Sequence, residues 1–290
     1  MKATRRSFLK TLGVGATGLA LGRGAGRLFA ATPPLPKLGL QLWTVREAIE
    51  KDAALTLRRI ADLGYTAVET AFWPEGMTHT QGGKLLRDAG ISVFAAHVEI
   101  PVGDHRDTIM EVAEAYDCDT MVWHGWPEDE RYQTLDGIRE LADIYNEANA
   151  FMSANGLRFG LHNHWWEFQE IAEGGLPYYL IRSLLEPDIF YEIDTYWAKV
   201  AGADPARVVR DFGDKVRLLH IKDALTLETE GTMVAAGQGV QDFPSIGRAG
   251  HGNVEWMIVE LDFCETDMFD AIEQSRDYLI NNRLARPSGT

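Results

Sequence analysis

Eight short apolar runs alternate with eight longer amphipathic stretches from residue 37 almost to the end of the chain. The runs occupy 38–43, 67–69, 92–97, 120–124, 158–164, 189–194, 216–220 and 256–260. Helical periodicity fills 52–63, 81–89, 106–116, 134–154, 177–185, 205–212, 243–249 and 267–282. Several helical stretches stop at a glycine just before the next run, as in Leu63-Gly64-Tyr65, Ala89-Gly90-Ile91 and Asn155-Gly156-Leu157. Glycine ends a helix in the left-handed conformation at least steric cost, so each marks a helix-to-strand junction. Strict alternation over about 250 residues predicts an α/β fold, a single (β/α)8 barrel spanning 37–283. An open doubly wound sheet would show a glycine-rich phosphate turn after its first strand, and 38–47 has none. Residues 284–290 are expected to form a loose tail.

The first 31 residues read differently. Thr4-Arg5-Arg6-Ser7-Phe8-Leu9-Lys10 followed by a glycine- and alanine-rich apolar run predicts a twin-arginine signal peptide over 1–31 and a periplasmic location. The run is too short and too rich in glycine to anchor the chain stably in a membrane. Lys2, Arg5, Arg6, Lys10, Arg23 and Arg27 lie in this leader with no acid, so its removal takes the net charge from −15 to −21. A body this acidic repels nucleic acid and anionic lipid, which excludes both as partners. The two cysteines, Cys118 and Cys264, provide neither metal spacing nor a disulfide framework.

In a barrel of this kind chemistry belongs to the C-terminal ends of the strands. Reading those ends gives Trp43, Glu69, His97, His124, His162 with His164, Asp194 with Trp197, His220 with Lys222, and Glu260. One such histidine or acid usually means a solvated or hydrogen-bonded group, but a polar side chain at nearly every end points to a site. His162, Asp194, His220 and Glu260, two imidazoles and two carboxylates, form a donor set suited to one divalent metal with positions open for substrate. His162 also has a reading as a hydrogen-bonding neighbour of the metal, with His164 or Glu167 coordinating instead. His124 is a candidate acid/base. Glu69, His97 and His164, with Trp43 and Trp197, are candidate substrate contacts, tryptophan faces being suited to sugar C–H surfaces. Lys222 is a candidate for stabilising an oxyanion or moving a proton, and equally for a structural ion pair.

Across the mature chain these segments resemble the sugar phosphate isomerase/epimerase branch of the xylose isomerase-like TIM barrels, a group that includes D-tagatose 3-epimerase, inosose dehydratase and dehydroshikimate dehydratase. The resemblance is carried by Gly39-Leu40-Gln41-Leu42-Trp43-Thr44, Gly64-Tyr65-Thr66-Ala67-Val68-Glu69 and Leu161-His162-Asn163-His164 through Glu167-Phe168. It continues through Asp194-Thr195-Tyr196-Trp197, Ala201-Gly202-Ala203-Asp204-Pro205, His220-Ile221-Lys222-Asp223, Gly237-Gln238-Gly239 with Asp242-Phe243, and Val259-Glu260. It implies metal ligands at Asp194, His220 and Glu260 and a fourth at 162, with Glu260 also a catalytic carboxylate. The epimerases carry glutamate at the fourth position, where this chain has His162, and one of their two acid/base carboxylates is thereby missing. Trp197 likewise stands where epimerase relatives can carry histidine.

The expectation is an enzyme that uses one divalent metal, Mn²⁺ first and Co²⁺, Mg²⁺ or Zn²⁺ as alternatives, to remove a proton beside the carbonyl of a non-phosphorylated keto-sugar or keto-glycoside. Isomerisation or epimerisation competes with β-elimination on 3-keto-glucosides, which needs one base and one acid. A sugar oxidoreductase that makes the keto group is an expected partner. A non-catalytic sugar-binding barrel is a further alternative, and the acidic charge argues against the endonuclease IV activity that shares this fold.

Overall fold

The computed structural model describes residues 33–229 and 231–289; the leader expected at 1–31 lies outside the described residues. Strands β1 (Lys37–Gln41), β2 (Ala67–Thr70), β3 (Ser92–Val98), β4 (Thr120–Trp123), β5 (Arg158–His162), β6 (Phe190–Asp194) and β7 (Val216–Ile221) pair in parallel in chain order. Strand β10 (Trp256–Val259) returns to pair with β1 and closes the barrel. Strands β8 (Asp223–Ala224) and β9 (Met233–Val234) form a separate two-stranded ribbon. The helices are α1 (Arg46–Asp62), α2 (His79–Asp88), α3 (His105–Tyr116), α4 (Leu135–Ala154), α5 (Pro177–Arg182), α6 (Thr195–Val200), α7 (Pro205–Phe212), α8 (Phe243–Gly250) and α9 (Met268–Asn281). Among the described residues no helix is long and apolar enough to cross a membrane.

The alternation read from the sequence therefore holds, with four departures. Helix α1 starts at Arg46 rather than 52, because extended backbone at Asp52 (φ −160°) interrupts a helix already under way. Helix α6 was not expected: its six residues are too few to show a period, and its start is capped by Asp194 itself. The ribbon is pinned by Asp223, whose carboxylate accepts backbone N–H from Ala224, Gly237, Gly239 and Gln241 at 2.9–3.1 Å. A Cβ on Gly239 would lie 2.2 Å from that carboxylate, so the glycine permits the close approach. Finally, the tail expected to be loose from 284 is tied down at its start. The Leu38 amide donates to the Arg286 carbonyl and the Arg286 amide to that of Pro36, each at 2.9 Å, making a bridge beside β1.

Side chains on a strand alternate faces, so the residues inside a closed barrel follow in steps of two. The lower interior is apolar and aromatic. Phe94 stacks on Trp256 at 3.9 Å, and Ala95, Val122, Phe190, Leu218 and Ile258 pack with them. Gly39 and Gly160 leave room for these rings: a Cβ on Gly39 would lie 2.4 Å from Phe94, and one on Gly160 2.3 Å from Phe190. Two residues further along the same strands the interior turns polar. Gln41 follows Gly39, His162 follows Gly160, Glu192 follows Phe190, His220 follows Leu218 and Glu260 follows Ile258. The opposite faces carry Leu40, Leu161, Ile193, Leu219 and Val259 into the core beneath the helices. A plug of rings at one end thus sets the height at which the ionisable layer begins.

Replacing Gly160 with alanine should destabilise the barrel by about 1–3 kcal/mol, the usual cost of overpacking a filled core. The check is the urea midpoint of the variant against the wild type at unchanged m-value.

Candidate active site at the barrel mouth

Two groups of donors stand one above the other inside the upper barrel. The lower comprises His97, His162, Glu192 and His220, and the upper Asp194, His220 and Glu260; within each group one ligand atom per residue lies within 4.8 Å of the others. His220 belongs to both, Nε2 facing down and Nδ1 facing up.

The lower group is tied together mainly by aligned hydrogen bonds. Glu192 Oε1 lies 2.7 Å from His97 Nε2 and 3.0 Å from His162 Nδ1. His220 Nε2 is 2.7 Å from Glu69 Oε2 and 3.1 Å from Glu192 Oε1, and the Gln41 amide donates to Glu69 Oε2 at 2.8 Å. Burial, then the neighbouring Glu192, lifts the Glu69 carboxyl to about 7. Burial also pushes His97 below the ordinary imidazole value and His162 well below it. Burial opposes charge on His220 too, but Glu192 and Glu260 outweigh it and hold this ring well above the ordinary value.

The upper group behaves differently. His220 Nδ1 approaches Glu260 Oε2 at 2.5 Å and Asp194 Oδ2 at 3.9 Å. Yet all three atoms are buried without an aligned hydrogen-bond partner. Donor atoms that crowd together without aiming at one another converge on a common point, as ligands of a cation do. The Lys222 ammonium stands beside them, 2.8 Å from Asp262 Oδ2, 3.0 Å from Glu260 Oε2 and 3.1 Å from Asp194 Oδ2, and 5.2 Å from the Trp197 ring centre. Burial disfavours its charge, but Asp194, Asp262 and Glu260 hold its pKa well above the usual lysine range. Burial raises Asp194 to about 6 against the pull of Lys222 and His220. Glu260, also buried, is held well below the carboxylate range by Lys222 and His220. Three carboxylates thus meet one ammonium and the charged His220 ring, and a divalent ion taking the place of the His220 Nδ1 proton would balance the charge left over. The residues present fit such a group: Asp194, His220 and Glu260 would hold it.

Local structure aims Asp194 and ties the strand ends around it. Asp194 spends Oδ1 as the N-cap of α6, accepting from the Tyr196 and Trp197 amides at 2.9 Å, which turns Oδ2 toward Lys222. Asn163 accepts from the Asp194 amide at 3.0 Å and donates to its carbonyl, tying the end of β5 to that of β6. Thr195 Oγ1 donates to the His220 carbonyl at 2.9 Å and couples β6 to β7 in the same way.

Of the residues expected at the mouth, Asp194, His220, Glu260 and Lys222 come together. His162 is placed in the lower group through Nδ1 rather than in the upper triad. His97 and Glu69 lie in the lower layer, buried against other side chains. His124 accepts from the Trp126 amide through Nδ1 at 3.1 Å, and its Nε2 is 3.4 Å from Glu99; burial and His97 lower it to about 4. His164 stacks on Trp166 at 4.5 Å, and Trp197 packs on Trp165 at 4.9 Å. Trp43 is 37% exposed under the Arg46 guanidinium, which stands 4.4 Å above its ring.

Gln41, Glu99, Glu192 and Asp262 contact the site and were missed. Glu192 could have been found from parity: two residues before Asp194, it must share the inward face.

Glu167 is also fully buried. It accepts from the His164 amide at 2.9 Å, and burial raises it to about 8. Between 4.5, its ordinary value, and about 8 the folded chain binds a proton that the unfolded chain has lost, so stability falls as pH rises through this window. Glu167→Gln keeps the acceptor and removes the ionisation. Its melting temperature should gain on the wild type progressively as pH rises toward 8, with the difference shrinking again toward pH 4.5; melting curves across that range check it.

The sequence matches the family model "Xylose isomerase-like TIM barrel" over residues 57–279. A comparison with curated proteins found no match. Among solved structures, two sugar phosphate isomerases/epimerases from Parabacteroides distasonis superpose with a TM-score of 0.73. The first is 21% identical, covering 89% of this chain and 98% of its own; the second is 24% identical, covering 87% and 100%. A probable 3-DHS dehydratase from Bacillus anthracis superposes at 0.64 with 12% identity, covering 85% of this chain and 99% of its own. These likenesses establish the fold, and the closed eight-stranded topology agrees with them. With the family model spanning most of the barrel, the chain belongs to the xylose isomerase-like TIM barrel family.

Proposed function

We propose that this protein is a divalent-metal-dependent enzyme that removes a proton beside the carbonyl of a non-phosphorylated keto-sugar or keto-glycoside. The observation that carries the reading is the buried, unaligned triad Asp194 Oδ2, His220 Nδ1 and Glu260 Oε2 with the Lys222 ammonium at its side. A bound divalent ion would act as a Lewis acid on the carbonyl and the adjacent hydroxyl. Glu260, kept ionised by Lys222 and His220, is the carboxylate available to take the proton. Lys222 places positive charge beside the oxygen on which negative charge develops. The exposed Trp43 supports an aromatic wall for a sugar.

Release of a β-substituent is the second reading. It is favoured by His162, which brings an imidazole bonded to Glu192 where a two-base epimerisation would use a second carboxylate. Elimination proceeds with one base and one acid. The dehydratase among the structural neighbours is consistent with either outcome, since both begin by removing the same kind of proton. The basic leader and acidic body support a periplasmic site of action, with a sugar oxidoreductase supplying the keto group.

Purified protein should carry about one divalent metal per chain, lost in His220→Ala; metal-free wild type as isolated and after reconstitution would end the reading. Incubation with 3-keto-glucosides and free ketoses in D₂O then separates the outcomes. Deuterium on carbon with the aglycone retained means isomerase or epimerase chemistry, and aglycone release means elimination. Glu260→Gln should lower kcat by about 10²-fold or more in either case.

A further inference from the structure

Glu192 has no role among those given above, yet it is the carboxylate of the lower layer that faces three imidazoles on a single oxygen. It is fully buried, at a position where a barrel interior ordinarily carries a branched apolar residue. Its Oε1 receives ring nitrogens from three strands: His97 Nε2 from β3 at 2.7 Å, His162 Nδ1 from β5 at 3.0 Å and His220 Nε2 from β7 at 3.1 Å. Its Oε2 has no partner, so these contacts are what holds the side chain. A carboxylate oxygen offers only lone pairs, so the ring atom turned toward it is the one that carries hydrogen. In a neutral ring that choice makes the other nitrogen an acceptor.

We infer that Glu192 is the positioning residue of this site: it commits His97 to the Nε2–H form and His162 to the Nδ1–H form, and with Glu69 it fixes a proton on His220 Nε2, so that Nδ1 is the nitrogen free to exchange its proton for a cation. The consequence lies one layer up. With Nε2 of His220 committed below, Nδ1 is the atom left for a cation beside Asp194 and Glu260. With Nδ1 of His162 committed, Nε2 is its remaining lone pair. A histidine that binds metal commonly gives its other N–H to a carboxylate, which fixes the ring and raises its basicity. Glu69 cannot replace Glu192 here, because its Oε2 is shared by Gln41 and His220 and lies 3.5 Å from His97. The four lower residues could themselves be taken for an ion site. The alignment of the His97 and His162 bonds to Glu192 favours hydrogen bonds, in contrast to the unaligned atoms above.

The consequence for metal affinity rests on the proposed function, but the tautomers do not, and the experiment separates the two. Long-range ¹H–¹⁵N correlation spectra of metal-free, histidine-labelled protein at pH 7.5 should show His162 protonated at Nδ1 and His97 at Nε2. In Glu192→Leu both preferences should be lost, and Glu192→Met, which also lacks the carboxylate acceptor, serves where the leucine variant fails to fold. Chelator competition with Zn²⁺ and Mn²⁺ should show affinity reduced about 10–100-fold in Glu192→Gln at unchanged stoichiometry. His162 protonated at Nε2 in the wild type, or equal affinity in variant and wild type, overturns the inference. So does the loss of one of two bound ions in Glu192→Gln, which would make the lower group a metal site. A wild type that binds neither ion defeats the proposed function, while the tautomer spectra still decide the role of Glu192.

Discussion

The hydrogen bonds that three imidazoles direct at Glu192 and Glu69 are what allow a closed barrel to carry ionisable side chains in its interior. A carboxylate removed from water is costly unless donors replace the lost hydration. Here the donors come from β1, β3, β5 and β7, so the polar layer is satisfied only when the barrel is closed and in register. The register His162↔Glu192 and Asp194↔His220 between neighbouring strands places those partners side by side. Tertiary structure and protonation are therefore one problem in this protein.

The same arrangement grades the interior from bottom to top. Stacked Phe94 and Trp256 close the lower end against the two glycines that make room for rings. The middle layer turns histidines into directed donors, and the upper layer gathers three carboxylates around Lys222. Neutral His162 and His97 sit below an ionised Glu260 and a charged Lys222, although every one of them is buried. Burial alone would neutralise them all. The difference is that His97 and His162 also face the charged His220 and Lys222, whose repulsion adds to burial, whereas Glu260 and Lys222 answer each other at 3.0 Å. The cation site and proton transfer proposed for the upper layer rest on that contrast.

Much of this was legible before any coordinates. Glycine stops and alternating apolar runs defined the barrel, and the polar turn at the end of each run located its mouth. Asp194, His220, Glu260 and Lys222 were readable because each interrupts or follows an apolar strand at its C-terminal end. Helix α6 escaped because its cap, Asp194, ends a strand and its six residues are too few to show a period. The anchoring of the tail through Arg286 escaped because two backbone hydrogen bonds leave no pattern in side chains.

Residue order and side-chain type by themselves determined the fold class, the end of the barrel at which ionisable side chains gather and the donor set available there, since alternation and strand polarity are local properties. Only the tertiary structure decided which donors face each other. His162 turns to Glu192 rather than joining the upper triad, and Lys222 lands among three carboxylates. Those choices depend on register, on the aromatic plug below and on which ring nitrogen finds an acceptor across the barrel, and such contacts span β3 to β7. A sequence records the groups, but the competition among them for a few buried protons is settled only when the barrel closes.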